Sequence, residues 1–170
     1  MHTSLVATIL TFLLVTFSGS AHSEEILLIG NVDAILLLPA GSAQCPELNG
    51  AQKNPDGSTL LTISNDCGCE TATLHVDHVL TGKVADTILK LSKRTGEWCR
   101  PSYPLSTRNA LFQINGKNVH WSMLKEIDGR QFFSAARFQS LNGTAIGEFP
   151  HDKNGQIALD DVLKTIPAAR

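Results

Sequence analysis

The sequence lacks the residue patterns that the commonest enzyme mechanisms use. It contains no Gly-x-Ser-x-Gly nucleophile turn, no glycine-rich phosphate loop and no His-Glu-x-x-His zinc motif. His75, Asp77 and His78 are residue types that exchange protons. Strand alternation places His75 and Asp77 on one face, where an exposed polar surface is the ordinary explanation. We therefore predict a chain with no catalytic residues, no metal ligands and no cofactor.

The sequence also lacks an excess of positive charge. Its 14 Lys and Arg are balanced by 16 Asp and Glu, a formal net charge of -2, whereas nucleic-acid binders carry clustered basic residues. Four basic residues do gather loosely, with Glu97 between them: Lys90, Lys93, Arg94 and Arg100. We interpret them as a solvated strand edge and loop, with an anion site as the alternative. Nucleic acid is not an expected partner.

No apolar run is long enough to span a membrane. The apolar segment 5–17 is shorter than the about 20 residues that a membrane helix needs, and it has the length of a signal-peptide core. Small residues follow it, so cleavage is expected after Ala21 or Ser23. The predicted organisation is a signal peptide at 1–23 and one domain at 24–170, with an extracytoplasmic location, secreted or periplasmic. Because no Lys or Arg precedes Glu24, an uncleaved N-terminal anchor is the alternative.

Four cysteines follow the predicted signal peptide, at positions 45, 67, 69 and 99. In an exported chain an even number of cysteines most simply means disulfides. A bond within Cys67-Gly68-Cys69 closes a very tight ring, so we expect Cys67 and Cys69 each to pair with Cys45 or Cys99. The sequence leaves open which pairs with which. Each bridge is expected to stabilise the fold by about 2 to 4 kcal/mol.

The same cysteines admit two other interpretations. Cys67 and Cys69 combined with His75 and His78 have the ligand types that zinc prefers, but residues three apart in a strand point to opposite faces. A redox dithiol is the second, although the usual motif has two residues between the cysteines. A thiol-redox or zinc-dependent protein centred on Cys67 and Cys69 is therefore the alternative to a non-catalytic one.

Alternation and turn signals predict a mainly β domain with a short C-terminal helix. Asn115-Gly116 and Asp128-Gly129 are strong hairpin signals. The predicted strands cover 26–38 with a bend at Gly30, 58–64, 71–80, 87–92, 110–114, 119–127 and 131–138. Segments 39–56 and 93–107 are predicted to be irregular and 158–166 to be helical. Five aromatic residues are expected to pack in the core: Phe112, Trp121, Phe132, Phe133 and Phe138.

One stretch resembles a known family of secreted domains. The run 75–88, His-Val-Asp-His-Val-Leu-Thr-Gly-Lys-Val-Ala-Asp-Thr-Ile, follows Ile29-Gly30-Asn31-Val32 and precedes Cys99 and the strand at Ala110. It is similar to the netrin-module or tissue-inhibitor-of-metalloproteinase-like group over about the middle half of the mature chain. The resemblance implies an OB-type antiparallel barrel of five strands. That group's inhibitors chelate zinc through an N-terminal cysteine, which neither predicted cleavage exposes, so inhibition by that route is not expected.

Together these observations predict an exported, disulfide-bonded binding module whose partner is a protein or an envelope component. Loops on a rigid scaffold commonly carry recognition. Two surfaces are therefore candidates for partner contact: the hairpin tip 115–118 and the loop that contains Trp98 and Tyr103.

Overall fold

The computed structural model describes residues 25–46, 50–62, 67–95 and 99–166, and it is mainly β. Within these residues no helix is long and apolar enough to cross a membrane. The elements, in chain order, are β1 Ile26–Leu38, β2 Gly50–Lys53, β3 Thr59–Thr62, β4 Cys69–Thr81, β5 Ile88–Arg94, β6 Ala110–Asn115, β7 Asn118–Met123, β8 Lys125–Ile127, β9 Arg130–Ser134, β10 Ser140–Leu141, β11 Thr144–Ala145, β12 Gln156–Ala158 and the helix α1 Leu159–Leu163.

The largest sheet has five antiparallel strands in the order β5-β4-β1-β6-β7. β1 is its central strand and pairs with β4 along most of its length and with β6 through residues 26–30. The predicted bend at Gly30 coincides with a register shift between Ile29 and Gly30. A side chain at Gly30 would overlap the carbonyl oxygen of His75 on the neighbouring strand, so the close approach of β1 and β4 requires glycine here.

Two apolar clusters lie on opposite faces of this sheet, because successive side chains of a strand point to opposite sides. Leu27 and Leu111 belong to the first cluster, and Leu28 and Phe112 to the second. The first is covered by β9 and β12 of the small sheet β12-β9-β8 and by α1. The second also contains residues of β4 and β5 together with Tyr103: Ala72, Leu74, Leu91 and Tyr103.

Of the five aromatic residues expected in the core, Phe112, Phe133 and Phe138 are buried. Trp121 and Phe132 are half-buried.

Several predicted boundaries were wrong, and pairing or hydrogen bonding explains each difference. Segment 39–56 was predicted to be irregular but contains β2, which pairs with β3. The predicted strand 119–127 divides into β7 and β8 at Leu124, whose amide donates to the carbonyl of Asn109 instead of a ladder partner. The predicted strand 131–138 ends at Ser134, whose hydroxyl accepts from the amide of Ala136 and caps a 3-10 turn.

The C-terminal helix is shorter than predicted. Residues 156–158 form β12, which pairs with β9, and α1 then occupies only Leu159–Leu163 before a turn. Leu159 and Val162 are buried in the first cluster, so the predicted helical spacing does bring apolar residues to one face. Packing of α1 against β9 and β12 replaces the length that an isolated helix would need.

Candidate functional site

A cleft of about 530 Å³ lies between β5 and the hairpin formed by β6 and β7. Two segments that are distant in the sequence meet here, the loosely basic strand near Lys90 and the hairpin tip 115–118. We call this site the lysine cleft. Its lining residues are Lys90, Leu91, Ser92, Lys93, Ile114, Gly116, Lys117 and Val119.

Strand alternation gives the lysine cleft an apolar floor and a basic rim. Leu91 lies in the second apolar cluster, as does Ile114 at the end of β6, and Val119 packs against them. Lys90 and Lys117 are exposed. Gly116 allows the tight turn between β6 and β7 because its φ is 58°, in the left-handed region.

The charge of the lysine cleft is positive. Lys93 lies 3.8 Å from a carboxylate oxygen of Glu70, but neither Lys90 nor Lys117 forms an ion pair with any residue that the structure describes. Of the four basic residues that gather in the sequence, Lys90 and Lys93 line the cleft. Lys117 belongs to the hairpin tip 115–118, which was one of the two predicted contact surfaces. The sequence did not predict that this tip lies beside β5.

A buried carboxylate neighbours Lys93, one of the cleft's lining residues. Glu70 stands opposite Lys93 in the ladder between β4 and β5 and is fully buried. It accepts hydrogen bonds from the Ser102 amide, at 2.8 Å, and from the Ser102 hydroxyl. The Ser102 carbonyl in turn accepts from the Trp121 indole nitrogen at 3.1 Å. These bonds attach loop 99–107 to β4 and β7.

Tyr103 is the next residue of this loop, and its side chain is 4% exposed. The Lys93 ammonium lies 4.3 Å from the centre of its ring. The Tyr103 hydroxyl is buried and has no hydrogen-bond partner among the described residues. Burial raises the pKa of Tyr103 to about 12, and the negative charge of Glu70 adds to the rise.

The position of Tyr103 corrects the expectation that its side chain forms a loop contact surface, because it packs inward against the second cluster. Trp98, the other residue proposed for that surface, lies outside the described residues. Lys93 is affected by the same environment. Burial lowers its pKa, Glu70 opposes this, and the charge of Arg137 adds to the lowering.

The four cysteines form two disulfides, Cys45–Cys69 and Cys67–Cys99. This confirms that Cys67 and Cys69 pair with different partners. Zinc binds cysteine as the thiolate, whereas the sulfurs of both Cys67 and Cys69 are engaged in disulfides.

The described residues contain no group of three His, Cys, Asp or Glu side chains placed to hold a metal ion. His75 lies 3.6 Å from Asp33 on β1, an exposed contact between two strands.

A second cavity of about 630 Å³ lies between residues 107–109 and the strands β8 and β9. Its charged lining residues are Arg108, Lys125 and Glu126, so both signs are present. This second cavity therefore discriminates less strongly than the lysine cleft between acidic and basic ligands.

No protein-family model, no curated protein and no solved structure matches this chain. The resemblance to netrin-like and metalloproteinase-inhibitor-like domains therefore stays a prediction. The functional argument depends on the geometry of the described residues.

Proposed function

We propose that this protein is an exported, non-catalytic binding module whose partner contacts the lysine cleft. The observation that carries the proposal is a pair of exposed lysines, Lys90 and Lys117, beside an apolar floor. Both lysines lack an acidic partner within the described residues. Like-signed charge at a cleft attracts and orients an oppositely charged partner.

The scaffold around the lysine cleft supports a role in recognition. β4 and β5 form an antiparallel pair, and β4 begins at Cys69, which forms a disulfide with Cys45. Loop 99–107 is tied to Cys67 by its first residue and to Glu70 by Ser102. A binding surface whose supports are held in one geometry loses less entropy when the partner binds.

An OB-type, partly open barrel is the architecture that we propose for the five long strands. Such barrels have five strands and incomplete closure. The order β5-β4-β1-β6-β7 leaves β5 and β7 as the two outer strands, and both contribute to the lysine cleft. The cleft then corresponds to the gap between the first and last strands of the barrel.

Export is supported by the two disulfides, since such bonds persist in oxidising compartments. The signal-like segment 1–23 is the second support, although it lies outside the described residues. We expect cleavage after Ala21 or Ser23 and a mature domain beginning near Glu24.

The test is affinity capture with charge-reversed variants. The double variant Lys90→Glu and Lys117→Glu removes the basic rim, and Lys125→Glu with Lys153→Glu makes the same change in net charge at exposed residues outside the cleft. The immobilised mature domain is incubated with extracytoplasmic extract, and bound proteins are quantified by mass spectrometry. We expect the amount of partner captured by the cleft variant to fall at least about tenfold. Close charge pairs across an interface contribute more than about 1 kcal/mol to binding.

Equal capture by wild type and the cleft variant would contradict the proposed site. Circular dichroism must show both double variants folded, because loss of folding would abolish capture for an unrelated reason. Capture by wild type should also weaken as ionic strength rises, since exposed charges are screened.

A further inference from the structure

Among the residues that the structure describes, β5 has a ladder partner on one side only. Its neighbour is β4, and it is an outer strand of the sheet. Its other edge lies along the lysine cleft, which residues 90–93 line continuously. An outer strand presents backbone amide and carbonyl groups that a strand from another chain can pair with.

The side chains around this edge define what such a strand would carry. Along β5, Leu91 and Lys93 point to the sheet face that holds the second cluster, whereas Lys90 points to the other face. An added strand would alternate in the same way. One set of its side chains would meet Leu91, Ile114 and Val119, and the other set would lie near Lys90 and Lys117.

The length of the cleft sets the length of the segment. Four residues of β5 line it, and a strand rises about 3.3 Å per residue, so the paired edge is about 13 Å long. A segment of about four to six extended residues would span it. This is shorter than a helix needs to be stable, which also favours recognition as a strand.

We propose that the lysine cleft binds an extended peptide segment of the partner as an added strand on β5, with aliphatic side chains alternating with carboxylates. This inference rests on the proposed function and specifies the partner's chemistry. The aliphatic side chains cover the apolar floor, the carboxylates face Lys90 and Lys117, and the peptide backbone pairs with the open edge of β5.

The test uses a fluorescent hexapeptide of alternating Glu and Val with both ends blocked, titrated with the oxidised mature domain and followed by anisotropy. The comparison peptides are an alternating Lys and Val hexapeptide and the Glu and Val peptide N-methylated at alternate residues. We expect the acidic peptide to bind and the basic one not to bind. N-methylation on the edge that pairs with β5 should weaken binding at least about tenfold, because each methyl group removes one backbone hydrogen bond to β5.

Hydrogen exchange provides the structural readout. Binding of the acidic peptide should slow exchange of the β5 amides at residues 89–93. The Lys90→Glu and Lys117→Glu double variant should bind the peptide at least about tenfold more weakly, since it replaces two attractive charges by repulsive ones. The Lys125→Glu and Lys153→Glu control should bind like wild type.

Three results would overturn the inference. Equal binding of the N-methylated peptide without protection of β5 would mean charge attraction without strand pairing. Protection of β5 that grows with protein concentration in the absence of peptide would mean that a second copy of the chain occupies the edge. Failure of the acidic peptide to bind, while extract capture still depends on Lys90 and Lys117, would leave the proposed function standing without strand addition.

Discussion

Glu70 is a fully buried carboxylate at the end of an apolar cluster, and its surroundings explain why it is tolerated there. A buried charge destabilises a fold unless hydrogen bonds and an opposite charge compensate it. The amide and hydroxyl of Ser102 supply the hydrogen bonds, and Lys93 supplies the charge. The same carboxylate acts on Tyr103, so one residue connects β4, β5 and loop 99–107.

Tyr103 provides a direct measurement of this environment because it is the only tyrosine in the sequence. We expect its phenol to titrate with a midpoint of about 12, against 10.0 for an exposed tyrosine. Absorbance at the tyrosinate band during alkaline titration measures it. The Glu70→Gln variant should lower the midpoint but leave it above 10.0, because burial is the larger cause of the shift.

The raised pKa also sets the direction of the pH effect on stability. Between pH 10.0 and about 12 the unfolded chain loses the phenol proton that the folded chain retains. The free energy of unfolding contributed by neutral Tyr103 is therefore complete below pH 10.0 and decreases as pH rises towards about 12. Tyr103→Phe should remove this dependence. A midpoint near 10.0 in the folded chain would show that Tyr103 is solvated.

At the scale of elements, β1 organises the domain because both of its faces are buried through its first half. Leu27 and Ile29 enter the first cluster, and Leu28 and Val32 enter the second. A strand buried on both faces has a nearly continuous apolar sequence, as 26–29 does. The register shift at Gly30 bends the strand directly after this apolar run.

Replacing Gly30 by alanine therefore tests the role of this bend. The added Cβ would overlap the backbone carbonyl of His75, so β1 and β4 must separate locally. We expect Gly30→Ala to lower the free energy of unfolding by about 1 to 3 kcal/mol in urea denaturation. Gly147→Ala is the matched control, since its Cβ would meet no atom within 4 Å, and it should change stability by less than about 1 kcal/mol. Equal effects of the two substitutions would show that the close approach at Gly30 is not required.

At the scale of the whole molecule, the two disulfides connect the start of β4 to segments on both sides of it in sequence. Cys45–Cys69 spans a separation of 24 residues and Cys67–Cys99 a separation of 32. Closing loops of this size in the unfolded chain is worth about 3 to 4 kcal/mol each in the chain-entropy model. The second bond also fixes the beginning of loop 99–107, which carries Ser102 and Tyr103.

The two bonds should therefore differ in what their removal changes. We expect the paired Cys→Ser variants at 45 and 69, and those at 67 and 99, each to lose about 2 to 4 kcal/mol of stability in urea denaturation. Only the second pair releases loop 99–107, so only that pair should lower the pKa of Tyr103 towards 10.0. Equal tyrosine titrations in both variants would show that Glu70 and packing hold the loop without the bond.

The sequence by itself determined the local features of this protein. Alternation and hairpin turns such as Asn115-Gly116 depend on interactions between near neighbours, and they predicted most strands of the largest sheet. Only Gly68 separates Cys67 from Cys69, so a disulfide between them would close a very tight ring. This argument against such a bond does not depend on the fold. The pairing of each with Cys45 or Cys99 stayed open.

Only the tertiary structure decided the features that depend on distant segments meeting. Lys117 joins Lys90 because the β6–β7 hairpin lies beside β5, and Glu70 is buried because Ser102, 32 residues away, covers it. Tyr103 lies in a loop, but its side chain is buried in the core because the loop packs against the sheet. Burial and electrostatic environment are properties of the packed chain, since they depend on which surfaces exclude water from each other.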